Sequence, residues 1–133
     1  MSLPTPYYSD DAVTIYHGDS LDILPTISAV ELLFTSPPYA QQRAGLYQGI
    51  DEADYPHWVA EWMGSVDLSH LGSVIINIRE HIQDGVMSDY VHKTRMLIRD
   101  DGWHECDELI WVKPDSPPVG HPRRFRRSWE RLL

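Results

Sequence analysis

Over 133 residues, a content of 42% hydrophobic and 23% charged residues is the balance of one ordinary globular domain. The chain has no run of eighteen apolar residues and no charged-then-apolar start, which sets aside a membrane span and a signal peptide. Cys106 is its one cysteine, so an internal disulfide is excluded and a reducing, cytoplasmic setting fits.

A net charge of −9 argues against a nucleic-acid partner until its distribution is read, because phosphate contacts need Lys and Arg. The last 21 residues carry Lys113, Arg123, Arg124, Arg126, Arg127 and Arg131 against Asp115 and Glu130, a local charge of +4. The preceding 112 residues carry −13. An acidic body with a basic end is compatible with an enzyme that meets DNA along one edge.

In chain order, residues 1–12 read as a leader, loose over Met1 to Pro6, and 13–133 as the domain. Ala12 to His17 has the β-branched and aromatic content of a strand, which Gly18-Asp19 ends. Ser20 to Leu24 then fits a turn or two of helix, stopped near Pro25.

The next stretch, Val30-Glu31-Leu32-Leu33-Phe34-Thr35-Ser36-Pro37-Pro38-Tyr39, organises the rest. Its apolar run reads as a short buried strand that must stop at Ser36, because two prolines cannot continue a hydrogen-bonded ladder. Each residue before a proline is pushed toward extended geometry, so the turn is stiff. It presents carbonyl oxygens, a hydroxyl and an aromatic ring at the carboxyl end of a strand, where open α/β sheets bind ligands.

Residues 40–54 have no sustained period and contain two glycines. Such a loop either closes over a bound base, with Arg43 near a phosphate, or is a mobile surface loop. Tyr55 to Leu68 turns helical, with Trp58, Trp62, Met63 and Val66 on one core-facing stripe and Pro56 in the first turn.

Ser73 to Ile78 reads as a strand covered on both faces, ending in Asn77, Arg79 and Glu80, the last two a solvated pair. Asp89 to Arg99 is a second helix, stopped by Asp100-Asp101-Gly102-Trp103, and Glu108 to Pro114 a further strand. The chain finishes in a helical pattern, Arg127 to Leu133. This alternation predicts an α/β domain with a largely parallel sheet.

The seven histidines show no metal-ligand spacing, and His104-Glu105-Cys106-Asp107 would fall on alternating faces of a strand, so no metal site is expected. Nothing places a histidine beside Ser36 for nucleophilic catalysis.

The chemistry of the corner is specific. An exocyclic amine on a nucleobase is a poor nucleophile because its lone pair is delocalised into the ring. Acceptors that grip its hydrogens favour the pyramidal form, and the Ser36 hydroxyl and Pro37 carbonyl are such acceptors. Tyr39 offers a face on which an extruded base stacks.

Thr35-Ser36-Pro37-Pro38-Tyr39 resembles the catalytic motif of the DNA amino-methyltransferases, which move a methyl group from S-adenosylmethionine to N4 of cytosine or N6 of adenine. Ser at the first motif position is commoner in the cytosine-N4 enzymes, Asp in the adenine-N6 ones. The order of weaker features, ending in a strand with Trp111-Val112-Lys113, is similar to the β class of that family, in which the catalytic motif precedes the cofactor's glycine loop. No such loop is found among the scattered glycines here.

The resemblance implies a Rossmann-like methyltransferase sheet with helices on both faces, incomplete because the glycine-loop half is absent. It implies a partial catalytic domain over 13–133 whose basic end, 113–133, leads toward a missing target-recognition region. Ser36, Pro37, Pro38 and Tyr39 would be catalytic, and Thr35 and Asp19 would lie on the S-adenosylmethionine side. Asp19 reads equally as a cap for the helix that follows. Arg43, Lys113, Arg123, Arg124, Arg126 and Arg127 would meet double-stranded DNA; Lys113 reads also as a plain strand-end charge.

The implied function is site-specific DNA methylation in restriction-modification, with cytosine-N4 ahead of adenine-N6. An inactive remnant that binds nucleic acid or a partner through its basic end stays open. So does an RNA or protein amine methyltransferase.

Overall fold

The computed structural model describes residues 3–40, 49–114 and 128–133. Its four-stranded sheet has the order β3(Val30–Thr35), β4(Leu68–Ile78), β8(Trp129–Leu132), β7(Leu109–Val112). β3 and β4 run parallel, and α2(Tyr55–Gly64) lies in the crossover connection that a parallel pair needs. β8 is antiparallel to both β4 and β7, so the sheet is mixed where the sequence pattern predicts a largely parallel one.

The difference originates in the last residues. A helix expected over Arg127 to Leu133 is instead the strand β8 from Trp129, inserted between β4 and β7. Helix propensity is a weak force over so short a segment, and two open sheet edges offer a full set of backbone partners. Alternation then sends Glu130 to one face and Arg131 to the other, and each finds opposite charge there. Arg131 pairs with Glu80 at 3.2 Å and with Glu108, and Glu108 pairs in turn with Arg95 of α3(Tyr90–Asp100).

Paired residues of neighbouring strands share a face. The register Leu33 to Val74 and Thr35 to Ile76 puts these residues with Ile78 on one side. Against that side Tyr55, Val59, Trp62 and Met63 of α2 and Tyr90 and Val91 of α3 close one core around Ile76 and Ile78. Tyr55 and Tyr90 meet edge to face at 4.8 Å. The expected α2 stripe is therefore half the story: Trp62 and Met63 are buried, Trp58 and Val66 only partly, and Tyr55 and Val59 carry more of the core. The other side of the sheet holds Leu32 and Phe34, 55% and 59% exposed, so β3 is covered on one face rather than buried.

Local signals explain most boundaries. α1(Ser20–Ile23) starts at Asp19, whose Oδ1 accepts from the Leu21 amide at 2.9 Å, and passes at Pro25 into a 3-10 turn, Leu24–Thr26. α2 ends at Gly64, short of the expected Leu68, and β4 begins at Leu68, earlier than the expected Ser73. α3 ends in a Schellman motif: Gly102, at φ +95°, donates to the Arg99 carbonyl and Trp103 donates to that of Ile98.

Two hairpins lie outside the main sheet. β1(Tyr8–Ser9) pairs with β2(Thr14–Ile15), so the strand expected over Ala12 to His17 is short and bonds to the segment before it. β5(Ile82–Gln83) and β6(Val86–Met87) are joined by Asp84-Gly85, both at positive φ. Asp-Gly flanked by short strands is a strong hairpin signal, although no hairpin was expected there.

Candidate functional site

β3 stops at Thr35, where the following prolines require it to. Beyond it Pro37 and Ala40 are buried, Ser36 and Pro38 are exposed, and Tyr39 is half-buried. The buried proline anchors the corner while the hydroxyl of Ser36 stays on the surface. Thr35, half-buried, pairs with Ile76 inside the ladder.

Tyr39 reaches across the carboxyl end of β4. Its phenol lies 3.1 Å from Asn77 Oδ1 and 3.2 Å from Glu130 Oε2, and its single proton is donated to one of them at a time. Asn77 is 2% exposed and Glu130 6%. Lys113 Nζ stands 2.6 Å from Glu130 Oε1 and 4.2 Å from the centre of the Trp111 ring. The Arg79 guanidinium is 3.7 Å from the same carboxylate oxygen and 5.9 Å from the Tyr39 ring centroid.

The electrostatics follow from these contacts. Burial pushes the Tyr39 phenol above its ordinary value, and the Glu130 charge and hydrogen bond push further; Arg79 and the Ser36 hydroxyl oppose them without prevailing. Burial alone would raise the Glu130 carboxyl, but Lys113, Tyr39 and Arg79 outweigh it and hold Glu130 below the usual carboxylate range. The pair at the centre is thus a neutral phenol donating toward an ionised carboxylate. Asn77 Nδ2 is buried with no hydrogen-bond partner among the described residues.

The expected site residues fall into three groups. Ser36, Pro37, Pro38 and Tyr39 form one corner, and Asn77, Arg79, Lys113 and Glu130 join it. Glu130 and Asn77 were missed as site residues because Glu130 was assigned to a helix and Asn77 was read as a strand end. Arg79 was read as one of a solvated pair with Glu80, yet it sits over Tyr39 and beside Glu130. Lys113 is one-third exposed and faces Glu130. Asp19 is exposed and caps α1. Arg43, Arg123, Arg124, Arg126 and Arg127 lie outside the described residues.

Among the described residues no group of three or more His, Cys, Asp or Glu side chains is arranged to hold a metal ion. Among the described residues no helix is long and apolar enough to cross a membrane. A cleft of about 750 Å³ opens elsewhere, between the early part of β4 and the end of α3, lined by Met63, Ile75, Ile98 and Trp103 and by none of Ser36 to Tyr39.

The chain is 28% identical over 120 residues to the type II methyltransferase M.PvuII of Proteus hauseri, covering 85% of this chain and 36% of that protein. It is 37% identical over 68 residues to the type II methyltransferase M.ScaI of Streptomyces caespitosus, 49% of this chain and 22% of that one. The solved structure of the cytosine-N4-specific PvuII DNA methyltransferase superposes with a TM-score of 0.79 at 23% identity, over 96% of this chain and 50% of that chain. The resemblance to the DNA amino-methyltransferases holds in sequence and in fold. The methyltransferase fold is therefore present as the sequence implies, and the chain spans about a third of the length of M.PvuII. No family model matches the chain.

Proposed function

We propose that this chain carries the target-amine corner of an S-adenosylmethionine-dependent DNA methyltransferase acting at N4 of cytosine. The observation that carries the reading is Ser36-Pro37-Pro38-Tyr39 at the carboxyl end of β3, in a methyltransferase fold, with its tyrosine tied to buried polar groups of two other strands. Ser rather than Asp ahead of the prolines favours cytosine over adenine, in keeping with the specificity of the PvuII enzyme it resembles.

The base is extruded from the duplex and its ring rests on Tyr39. The Ser36 hydroxyl, exposed at the corner, and the Pro37 carbonyl accept the amine hydrogens and leave the nitrogen lone pair directed away from the ring. The proposed transfer is direct, with no covalent intermediate on the chain. When bound, S-adenosylmethionine supplies a methyl group on a positively charged sulfur. Asp19, at the end of the segment after β2, has the carboxylate suited to an adenine amine even while Oδ1 caps α1. The described residues offer no glycine-rich cradle for the methionine end. Arg43 and the arginines at 123, 124, 126 and 127 are the candidates for phosphate contacts with double-stranded DNA, Lys113 being engaged by Glu130.

The test is transfer of a labelled methyl group to duplex DNA. Ser36→Ala and Tyr39→Ala are each expected to cut transfer by about a hundredfold, the scale of a lost preorganised acceptor or a misplaced substrate. Transfer unchanged by both removes the mechanism, and label at adenine N6 rather than cytosine N4 removes the specificity.

A further inference from the structure

The described residues around Tyr39 form a frame drawn from two segments distant in the chain. Asn77 comes from the end of β4, Glu130 from the middle of β8, and Arg79 from just beyond β4. Tyr39 lies in a loop, where a ring on its own would sample several rotamers. Here the phenol oxygen is held within 3.1 Å and 3.2 Å of two nearly buried acceptors, and a guanidinium lies 5.9 Å from the ring centre. Glu130 is itself fixed by Lys113 at 2.6 Å. A hydrogen bond to an ionised acceptor is stronger than one between neutral groups, so the charge retained on Glu130 adds to the grip.

From this geometry we infer that Glu130 and Asn77 are positioning residues: they clamp the Tyr39 phenol so that its ring stands ready for the extruded base. The inference rests on the proposed base-stacking role of Tyr39. Neither residue touches the amine. They act through one oxygen atom, that of the Tyr39 hydroxyl, which plays no other part in the stacking. The stacking face costs no further ordering when the base arrives, and this is the gain that preorganisation gives.

Acting through one atom makes the inference sharp. Tyr39→Phe keeps the ring and removes the oxygen, and Glu130→Met removes the acceptor. Each is expected to lower kcat for methyl transfer by about tenfold with little change in KM for DNA, as a loosened near-attack geometry does. In the double variant the loss is expected to equal that of Tyr39→Phe alone, because Glu130 has nothing left to hold. Losses that multiply, or a Glu130→Met variant as fast as the parent, overturn the inference. Glu130→Gln, which keeps the shape and an acceptor oxygen, is expected to recover part of the rate; no recovery at all counts against the clamp.

A second readout needs neither DNA nor turnover. With 3-fluorotyrosine incorporated, the Tyr39 fluorine resonance is assigned by its disappearance in Tyr39→Phe. It is expected to be dispersed in the parent and to move toward the position of a free tyrosine in Glu130→Met and in Asn77→Leu. A resonance that stays in place in both variants sinks the clamp. If the parent transfers no methyl group while the resonance shifts as expected, the methyltransferase reading fails and the clamp on Tyr39 stands.

Discussion

Lys113 Nζ lies 2.6 Å from Glu130 Oε1, across the β7–β8 pair. The side chain that sequence reasoning aims at a phosphate is thus the counter-charge of a nearly buried carboxylate. Removing one partner of such a pair costs more than the pair contributes, because the other charge is left without compensation. Lys113 is one-third exposed, which lets water soften the loss. Lys113→Met is expected to destabilise the fold by about 1–3 kcal/mol, the range for stranding a partly buried charged hydrogen-bond partner. Urea unfolding measures this, and a midpoint equal to the parent's contradicts the role given to Lys113.

Glu130 and Glu108 both hold their carboxyls below the ordinary value, in spite of burial, through Lys113 in one case and Arg131 in the other. A carboxyl with a lowered folded-state pKa is ionised in the fold at a pH where the unfolded chain has begun to take up protons. Its contribution is therefore complete above 4.5, the ordinary value for the group, and is lost as pH falls through the folded-state value below it. Stability followed from pH 7 downward should be flat in this respect and then fall below 4.5. Glu130→Gln should make that acid limb shallower; an unaltered slope excludes Glu130 from it.

Much of the fold was legible because its signals are local. Pro37 and Pro38 end β3 by chemistry that no tertiary contact reverses, Pro56 opens α2, and Gly102 closes α3. The corner from Ser36 to Tyr39 was legible for the same reason. What escaped the sequence is decided by partners distant in the chain. Whether Trp129 to Leu132 is helix or strand depends on the open edges of β4 and β7, and nothing within those four residues reports them. Asn77, 38 residues from Tyr39, and Glu130, 91 residues from it, became site residues only when β8 entered the sheet. The exposed outer face of β3 was equally invisible, since an apolar run carries no record of which side is covered.

Tyr90 is fully buried in the core, and its hydroxyl donates to the carbonyl oxygen of Arg79, the residue whose guanidinium overlies Tyr39. Burial raises the phenol far above its usual range, helped by Tyr55, Tyr39 and the acidic residues Glu80 and Glu52. A phenol raised in the fold stabilises it fully below 10.0, its ordinary value, and that stability drains away as pH rises above it. Tyr90→Phe is expected to cost about 1–2 kcal/mol at neutral pH through the lost hydrogen bond and to flatten the alkaline limb. A variant as stable as the parent, with the same alkaline limb, refutes both roles.

Two glycines separate steric from conformational cost under the same substitution. At Gly72 an added Cβ would stand 2.5 Å from the Val30 carbonyl oxygen and 3.0 Å from Leu68 Cβ, where β3 and β4 pair through a register shift. Backbone must move, so Gly72→Ala is expected to cost about 1–3 kcal/mol, the range for overpacking, and to disturb the β3–β4 ladder. At Gly102 nothing lies within 4 Å of the added atom, but φ is +95°, a conformation that L side chains rarely adopt. Gly102→Ala is expected to cost about 1–2 kcal/mol from the left-handed backbone alone. The two are told apart by amide hydrogen exchange: Gly72→Ala should loosen protection along β3 and β4, Gly102→Ala only in the last turn of α3. Because β3 carries the Ser36 corner, Gly72→Ala should also disturb the Tyr39 fluorine resonance, and Gly102→Ala should leave it in place. The reverse pattern would mean that the strand pairing does not set the corner.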